Sequence, residues 1–317
     1  MSASDINSDD DYESVEQRTI ARQFRKELEE SGDFDYTVAP DEFDVGGVAT
    51  VNLEKHTNTV REIEELTIRA VKENNEKPGA RKLEFLRVQR ANLRINWYII
   101  YYVTFVAKDV ASGEEVLYIA ELRENIEGDR SVVVFRPKPE KHEKMVSGYA
   151  QEATEVTPKT FMDNVPNHYD KSCRTLDIAF RWSSANGIVS DLAPRDAMGN
   201  PGKIYAKSYV GKANMDEREL KKALLDGPVS AVLRITPAFF RLKKGEIFEG
   251  AAENDAYTVH SLLVVGYGAS KKGRRYFELS NCWRGWADGG YGKVMRKCSL
   301  PRGRSSIFTH VFYPIME

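Results

Sequence analysis

Two β-rich segments near the C-terminus constrain the fold of this chain more than any other feature. His260 precedes a largely apolar run of eight residues, SLLVVGYG at 261–268. A second segment, RYFELS at 275–280, ends directly before Asn281, which lies 21 positions after His260. The basic run KKGRR at 271–275 separates the two segments and is typical of a solvated hairpin tip. The pattern predicts a β-hairpin with a histidine on its first strand and an asparagine at the end of its second strand.

Aromatic and glycine residues follow the asparagine in the segment NCWRGWADGGY at 281–291. Their order, together with His260 and VVGYG at 264–268, resembles the signatures H-A-x-x-x-V-G-Y-G and N-S-W-G-x-x-W-G-E-x-G-Y of the papain-like cysteine proteases. The resemblance covers about 172–314 of this sequence. In that family an imidazole takes the proton from a cysteine thiol, and an asparagine carbonyl fixes the tautomer of the imidazole. The resemblance therefore implies catalytic roles for His260 and Asn281.

The segment after Asn281 departs from the family pattern at several positions. Cys282 replaces a serine, Arg284 replaces a glycine, and Trp283 and Trp286 are three positions apart where the family has four. In the family the first tryptophan screens the bond between histidine and asparagine from water, so a shorter loop with a charged arginine is expected to loosen that screen. The two tryptophans fit plain core positions equally well.

The nucleophile that the family requires is missing from its expected place. A papain nucleophile lies at a helix N-terminus in a segment of the type Q-x-x-x-C-G-S-C-W-A-F, and no segment of this chain resembles it. Cys173 precedes His260 by 87 positions, whereas a separation of about 130–150 is expected. Cys173 is retained as a weak nucleophile candidate. Cys282 adjoins Asn281 in a strand-like segment that points its side chain away from His260, and Cys298 is a still poorer candidate.

A helix and a strand are predicted upstream of the hairpin. Asp216 and Glu219 have the spacing of a capping box, and Gly227-Pro228 predicts the end of that helix. The strand VSAVL at 229–233 follows directly. In the papain family the same order leads into the right-hand β lobe, so the resemblance implies that lobe for the C-terminal part of this chain.

The N-terminal half is predicted to form one helix followed by four antiparallel strands. Residues 57–77 carry a mostly apolar stripe at spacings of three and four, and Pro78-Gly79 ends the helix. Segments rich in β-branched and aromatic residues follow at 83–95, 97–107, 116–122 and 132–135. This order, with LEFLRVQRAN and YYVTF in the first two strands, resembles the plant cystatin-like domains over about 46–136. The expected fold class is α+β: a cystatin-like helix wrapped by an antiparallel sheet, followed by the right-hand β lobe of a papain-like protease.

One loop of the cystatin-like part departs from the inhibitory pattern. An inhibitory cystatin presents a Q-x-V-x-G hairpin a few residues before its Tyr-Tyr strand, whereas this chain has RINWY at 94–98 and lacks both the glutamine and the glycine. Tyr98 resists a positive φ and adds bulk where glycine would permit a tight turn. The loop therefore argues against inhibitory function.

Charge and composition divide the 317 residues into four parts. Residues 1–45 contain 14 acidic and 4 basic side chains, a local charge of −10, and are predicted to be an acidic disordered tail. The cystatin-like domain spans 46–136, a proline-containing linker spans 137–171, and the papain-like domain spans 172–317.

Several classes of function are disfavoured by the sequence. Neither a secretory signal nor a run of about 18 apolar residues is recognised, so a cytoplasmic or nuclear location without membrane association is expected. Three cysteines fit a disulfide framework poorly. Metal-ligand spacing and phosphate-binding glycine loops are not found, so we expect neither metal nor cofactor. The basic run is local and lacks interleaved stacking aromatics, so nucleic acid is not an expected partner.

The sequence leaves three functions open. The main hypothesis is a papain-family homologue without peptidase activity that binds a protein or peptide. Its partner would be another cysteine protease or a missing left-hand lobe, unless the cystatin-like domain of the same chain covers that surface. The first alternative is an active cysteine peptidase that hydrolyses peptide bonds with Cys173, His260 and Asn281. The second alternative is a cystatin-type inhibitor of cysteine proteases that uses the 94–98 loop.

Overall fold

The structure is a computed structural model that describes residues 23, 27, 34, 48–139, 180, 184, 185, 188, 189, 203–296 and 306–315. The chain divides into two units. The first comprises residues up to 170 together with 251–258, and the second comprises 171–250 and 259–317. The linker prediction falls almost wholly outside the described residues.

In its described part, the first unit contains a five-stranded antiparallel sheet with the strand order β1-β2-β3-β4-β5 and one helix of known bounds, and Gln23 and Glu27 are also helical. The elements are β1 (Val48–Thr50), α1 (Thr57–Glu76), β2 (Leu83–Ile95), β3 (Ile99–Asp109), β4 (Glu115–Glu124) and β5 (Arg130–Pro137). The predicted helix and the four predicted strands are confirmed, with boundaries that shift by a few residues. The short strand β1 was not predicted.

Helix α1 packs on one face of this sheet. Its buried stripe includes Ile63 and Ala70, as the apolar spacing predicted. A small cavity between helix and sheet is lined by Leu66 and Ala70 on the helix and by Tyr101 and Leu122 on the sheet. Burying each large apolar side chain contributes roughly 1.5–3 kcal/mol, so the packing of this stripe is what holds the helix on the sheet. We call the opposite side of the sheet the outer face.

The outer face is covered in part by Phe34, a residue of the segment predicted to be a disordered tail. Only 1% of the Phe34 surface is exposed. Its ring meets Tyr102 of β3 edge-to-face, with the ring centroids 5.3 Å apart. Phe34 is therefore packed on the sheet rather than solvated, because its aromatic ring contacts an apolar site there despite its acidic surroundings in the sequence.

Residues 251–258 also pack in the first unit, although the predicted boundaries placed them in the C-terminal domain. The backbone N–H of Ala256 donates to Oγ1 of the buried Thr59, with 2.8 Å between the two atoms. The side-chain amide of Asn58 donates to Asp255. Because these bonds join positions 197 residues apart, sequence spacing gave no sign of them.

The second unit is built on a six-stranded sheet with the order β12-β11-β10-β9-β13-β8, and β6 and β7 form a separate pair. Its strands are β6 (Ile188–Val189), β7 (Lys203–Ile204), β8 (Ser208–Ala213), β9 (Val229–Ile235), β10 (Thr258–Ala269), β11 (Arg275–Ser280), β12 (Tyr291–Met295) and β13 (Phe308–Ile315). Its described helices of known bounds are α2 (Glu217–Ala223) and α3 (Pro237–Phe240). None of the helices in the described ranges is long and apolar enough to cross a membrane.

Two local predictions in the second unit are confirmed. Asp216 accepts a hydrogen bond from the Glu219 N–H, and the Glu219 side chain accepts one from the Asp216 N–H, which completes the capping box of α2. The predicted hairpin consists of β10 and β11, and its exposed tip has Gly273 at a φ of +76°.

Candidate active site

His260 and Asn281 are brought together by the register of the β10–β11 hairpin. Leu263 of β10 pairs with Ser280, the last residue of β11, so Asn281 emerges beside the start of β10. Nε2 of His260 lies 3.0 Å from Oδ1 of Asn281. His260 is buried, with 8% of its surface exposed. The structure therefore places the two predicted site residues in direct hydrogen-bond contact.

The hydrogen bonds around Asn281 fix the tautomer of His260. The backbone N–H of Cys282 also points at Asn281 Oδ1, at 2.8 Å. Since a backbone N–H only donates, the atom it meets must be the carbonyl oxygen of the side chain rather than its nitrogen. That oxygen only accepts, so Nε2 of His260 carries the proton. Nδ1 is left with a lone pair that is able to accept a proton.

Trp283 shields this pair. Its ring stacks on the His260 imidazole with the centroids 4.5 Å apart and the planes 21° apart. Trp283 is only 3% exposed. The expectation that the shortened loop loosens the screen is therefore wrong, because the loop lets the indole lie flat on the imidazole even with Arg284 in place of glycine.

The shortened loop is held by a second, deeper tryptophan. Trp286 is fully buried, and its Nε1–H donates to the Phe239 carbonyl at 2.8 Å. A Cβ built on Gly292 of β12 would lie 2.2 Å from the Trp286 ring, so only glycine leaves room for this indole. Trp283 and Trp286 meet edge-to-face, so Trp286 supports the ring that covers His260.

The sequence did not lead us to predict the aromatic residues that pack against Trp283. Phe239 and Phe240 of α3 lie 6.0 and 5.2 Å, centroid to centroid, from Trp283. The signal was present in the sequence PAFF at 237–240, where Pro237 at the first turn favours a short helix that carries an aromatic pair. Its contact with a loop more than 40 residues away was not readable from spacing.

Electrostatics keep the imidazole neutral. Burial lowers the pKa of His260 from 6.5 to about 4, and the hydrogen bond to Asn281 acts in the opposite direction. Desolvation dominates because a buried imidazolium loses its hydration and gains only one neutral partner. At neutral pH the side chain is therefore an uncharged base with its acceptor nitrogen at Nδ1.

The described thiol is poorly suited to react with that base. Part of Cys282 reaches the surface, but burial of the rest raises the pKa of its thiol. A nucleophilic cysteine requires a depressed pKa, so Cys282 has the wrong electrostatics. Cys173, the weak candidate, and Cys298 lie outside the described residues. Within the described ranges, no group of three or more His, Cys, Asp or Glu side chains is placed to hold a metal.

Comparison with known proteins finds a family match over the part of the chain that contains His260 and Asn281. The sequence profile described as papain family cysteine protease matches residues 194–315. Residues 194–315 are a papain-family peptidase domain. Both His260 and Asn281 lie within the matched part, whereas Cys173 precedes it.

Plant cysteine proteases are among the relatives of this papain-family domain. The KDEL-tailed cysteine endopeptidase CEP2 of Arabidopsis thaliana is 29% identical over 151 residues, which cover 44% of this chain and 41% of the relative. Ananain of Ananas comosus is 28% identical over 120 residues, which cover 38% of this chain and 34% of the relative. The chain thus spans well under half the length of these curated relatives. Among solved structures, the bromelain protease of Ananas comosus in complex with the E64 inhibitor is 25% identical, with a TM-score of 0.36, over 44% of this chain and 68% of that one.

Proposed function

We propose that this chain is a noncatalytic papain-family homologue that acts by binding another protein. The proposal rests on the contacts of the two ring nitrogens of His260. Its Nε2 is bonded to Asn281, while its Nδ1 has no sulfur partner within the described part of the chain. The family's chemistry requires a thiol at that nitrogen.

Two electrostatic features support a loss of catalysis. The pKa of His260 is lowered by burial, so the imidazole is neutral at pH 7 and provides no positive charge to stabilise a thiolate. The pKa of the Cys282 thiol is raised by burial, so this neighbour does not supply the missing thiolate. The preserved part of the site then serves as structure, in which His260, Asn281 and Trp283 tie the β10–β11 hairpin to the loop that follows it.

A surface of the papain-family domain supports the binding role. Leu263 is 42% exposed and Tyr291 is 51% exposed. Ser280 pairs with both residues in the sheet register, so Leu263 and Tyr291 lie in one cross-strand row. The two exposed apolar side chains flank one serine on the same face, and exposed apolar side chains on one face favour a protein partner. A partner that supplies the other lobe of a papain-like fold would fit this chain, because the domain represents only part of its relatives' length.

Labelling with an active-site-directed probe tests the loss of catalysis. The full-length protein is treated with an epoxide that alkylates the thiolate of papain-like enzymes, and intact mass is measured for wild type and His260→Ala. We expect no adduct on either protein, while papain labelled in parallel and iodoacetamide treatment of the unfolded chain show that probe and thiols are both competent.

The active-peptidase alternative predicts the opposite result. The acceptor nitrogen Nδ1 is correctly prepared for a thiol, and this favours the alternative as far as the base is concerned. An adduct that forms on wild type, disappears in His260→Ala and also disappears in Cys173→Ala would establish a peptidase with a displaced nucleophile. Cys282→Ala serves as the matched control, since its removal should leave such an adduct unchanged.

A further inference from the structure

The outer face of the five-stranded sheet carries a net positive charge. Directly opposed residues in neighbouring strands share a face, so the register assigns five arginines to this one. They are Arg87, Arg90, Arg94, Arg123 and Arg136. Lys108 lies on the same face, as do the acidic residues Glu84, Glu115 and the buried Glu121, which pairs with Arg123 at 2.6 Å. Six basic and three acidic side chains give this face a net charge of +3.

Phe34 packs on an apolar part of this face. It forms a buried cluster with Val48, Ile100, Tyr102 and Ile119, and Val134 packs against its edge. Ile119 shares a cross-strand row with Arg90 and Arg136, and Ile100 shares one with Arg94 and Arg123. The apolar residues that contact Phe34 thus share their two cross-strand rows with cationic side chains.

The backbone of the bound segment is also recognised. The side-chain amide of Asn92, which is fully buried, donates to the carbonyl oxygen of Phe34 at 3.2 Å. A buried amide that bonds to backbone fixes the direction of a bound peptide without depending on its side chains. This face has an apolar site for an aromatic ring, a side-chain donor to the peptide backbone and cationic side chains nearby. These three features together are typical of a peptide-binding site.

The segment that supplies Phe34 matches this site in charge. Phe34 stands between Asp33 and Asp35 in the sequence, within a segment of net charge −10. We propose that the outer face is a recognition site for an acidic peptide with a phenylalanine anchor, and that Phe34 of this chain occupies it in cis. An acidic peptide of the same chemistry on another protein would compete for the site. This proposal concerns the first unit and is independent of the proposed function of His260.

A peptide-binding measurement on the full-length protein tests the site. The probe is a fluorescein-labelled peptide of residues 29–39, followed by fluorescence anisotropy. A tethered ligand acts at an effective concentration near the millimolar range and competes with the probe. The affinity of wild type for the probe should therefore be at least about tenfold lower than the affinity of Phe34→Ala. Raising NaCl from about 50 mM to about 500 mM should weaken binding to Phe34→Ala several-fold, because the Debye length shortens.

Phe43 provides a matched control within the same segment, since it stands between Glu42 and Asp44. Phe43→Ala should bind the probe as weakly as wild type does, and a probe with alanine in place of Phe34 should not bind Phe34→Ala. Equal affinity of wild type, Phe34→Ala and Phe43→Ala for the probe would overturn the proposal.

A second measurement avoids dependence on the folding of Phe34→Ala. The full-length protein is labelled with 4-fluorophenylalanine, and the Phe34 fluorine resonance is assigned with Phe34→Leu. Unlabelled 29–39 peptide at about millimolar concentration should shift the Phe34 resonance toward its solvent-exposed position, because cis and trans ligands compete at comparable concentrations. A resonance that does not move would make Phe34 a fixed part of the core and would refute exchange at this site.

Discussion

His260 is a buried base whose protonation opposes folding. Its pKa in the folded protein, about 4, lies below the ordinary value of 6.5. Between these two pH values the unfolded chain binds more protons than the folded chain, so the stabilising contribution is complete above pH 6.5 and is lost as the pH falls toward 4. At the scale of the residue, the burial of His260 therefore makes the site sensitive to acid.

Replacing His260 with glutamine should flatten this pH dependence. Glutamine keeps a donor for Asn281 but does not titrate, so from pH 7 to pH 4 wild type should lose up to about 3 kcal/mol more unfolding free energy than His260→Gln does. Urea unfolding followed by tryptophan fluorescence in a Trp97→Phe background measures the difference. The pKa values of His56 and His310 are also lowered by burial, but they contribute equally to both proteins. Parallel pH profiles would contradict a depressed pKa at His260.

At the scale of the element, helix α2 depends on its first turn. The helix spans only Glu217–Ala223, too short to be stable by propensity alone, so the reciprocal bonds of Asp216 and Glu219 carry much of its local stability. Asp216→Ala should destabilise the second unit by about 1 kcal/mol, because the N–H groups of the first turn lose their acceptor. Urea midpoints measured beside Lys222→Ala, an exposed change in the same helix, test this. A loss as large in Lys222→Ala would mean that the cap is not the cause.

Elements with a local signal were predictable, and elements set by distant contacts were not. The apolar stripe of α1, the capping box of α2 and the β10–β11 hairpin each follow from residues within one short window, and each is confirmed. The order of the motifs indicated that His260 and Asn281 act as a pair, and the register of the hairpin brings the two side chains into contact. The docking of Phe34 and the support of Trp283 by α3 depend on residues far apart in sequence, for which a single chain offers no periodicity.

The molecule as a whole separates its charge, and this separation has a measurable consequence. The first 45 residues carry −10 and the remainder carries +8. Phe34, which belongs to the acidic part of the sequence, is buried against an arginine-bearing face, and opposite charges attract one another most strongly at low ionic strength. Screening at high ionic strength removes most of the long-range attraction, since the Debye length falls from about 10 Å at 0.1 M salt to about 3 Å at 1 M.

The radius of gyration measured by small-angle X-ray scattering should therefore increase with salt. Between about 50 mM and about 500 mM NaCl we expect wild type to expand by a few ångströms as the segment spreads away from the surface. Phe34→Ala should be expanded already at low salt, because attraction without the aromatic anchor does not hold the segment in one place, whereas Phe43→Ala should follow wild type. A radius that is independent of salt in wild type and unchanged by Phe34→Ala would show that neither the charge separation nor the anchor organises the N-terminal segment.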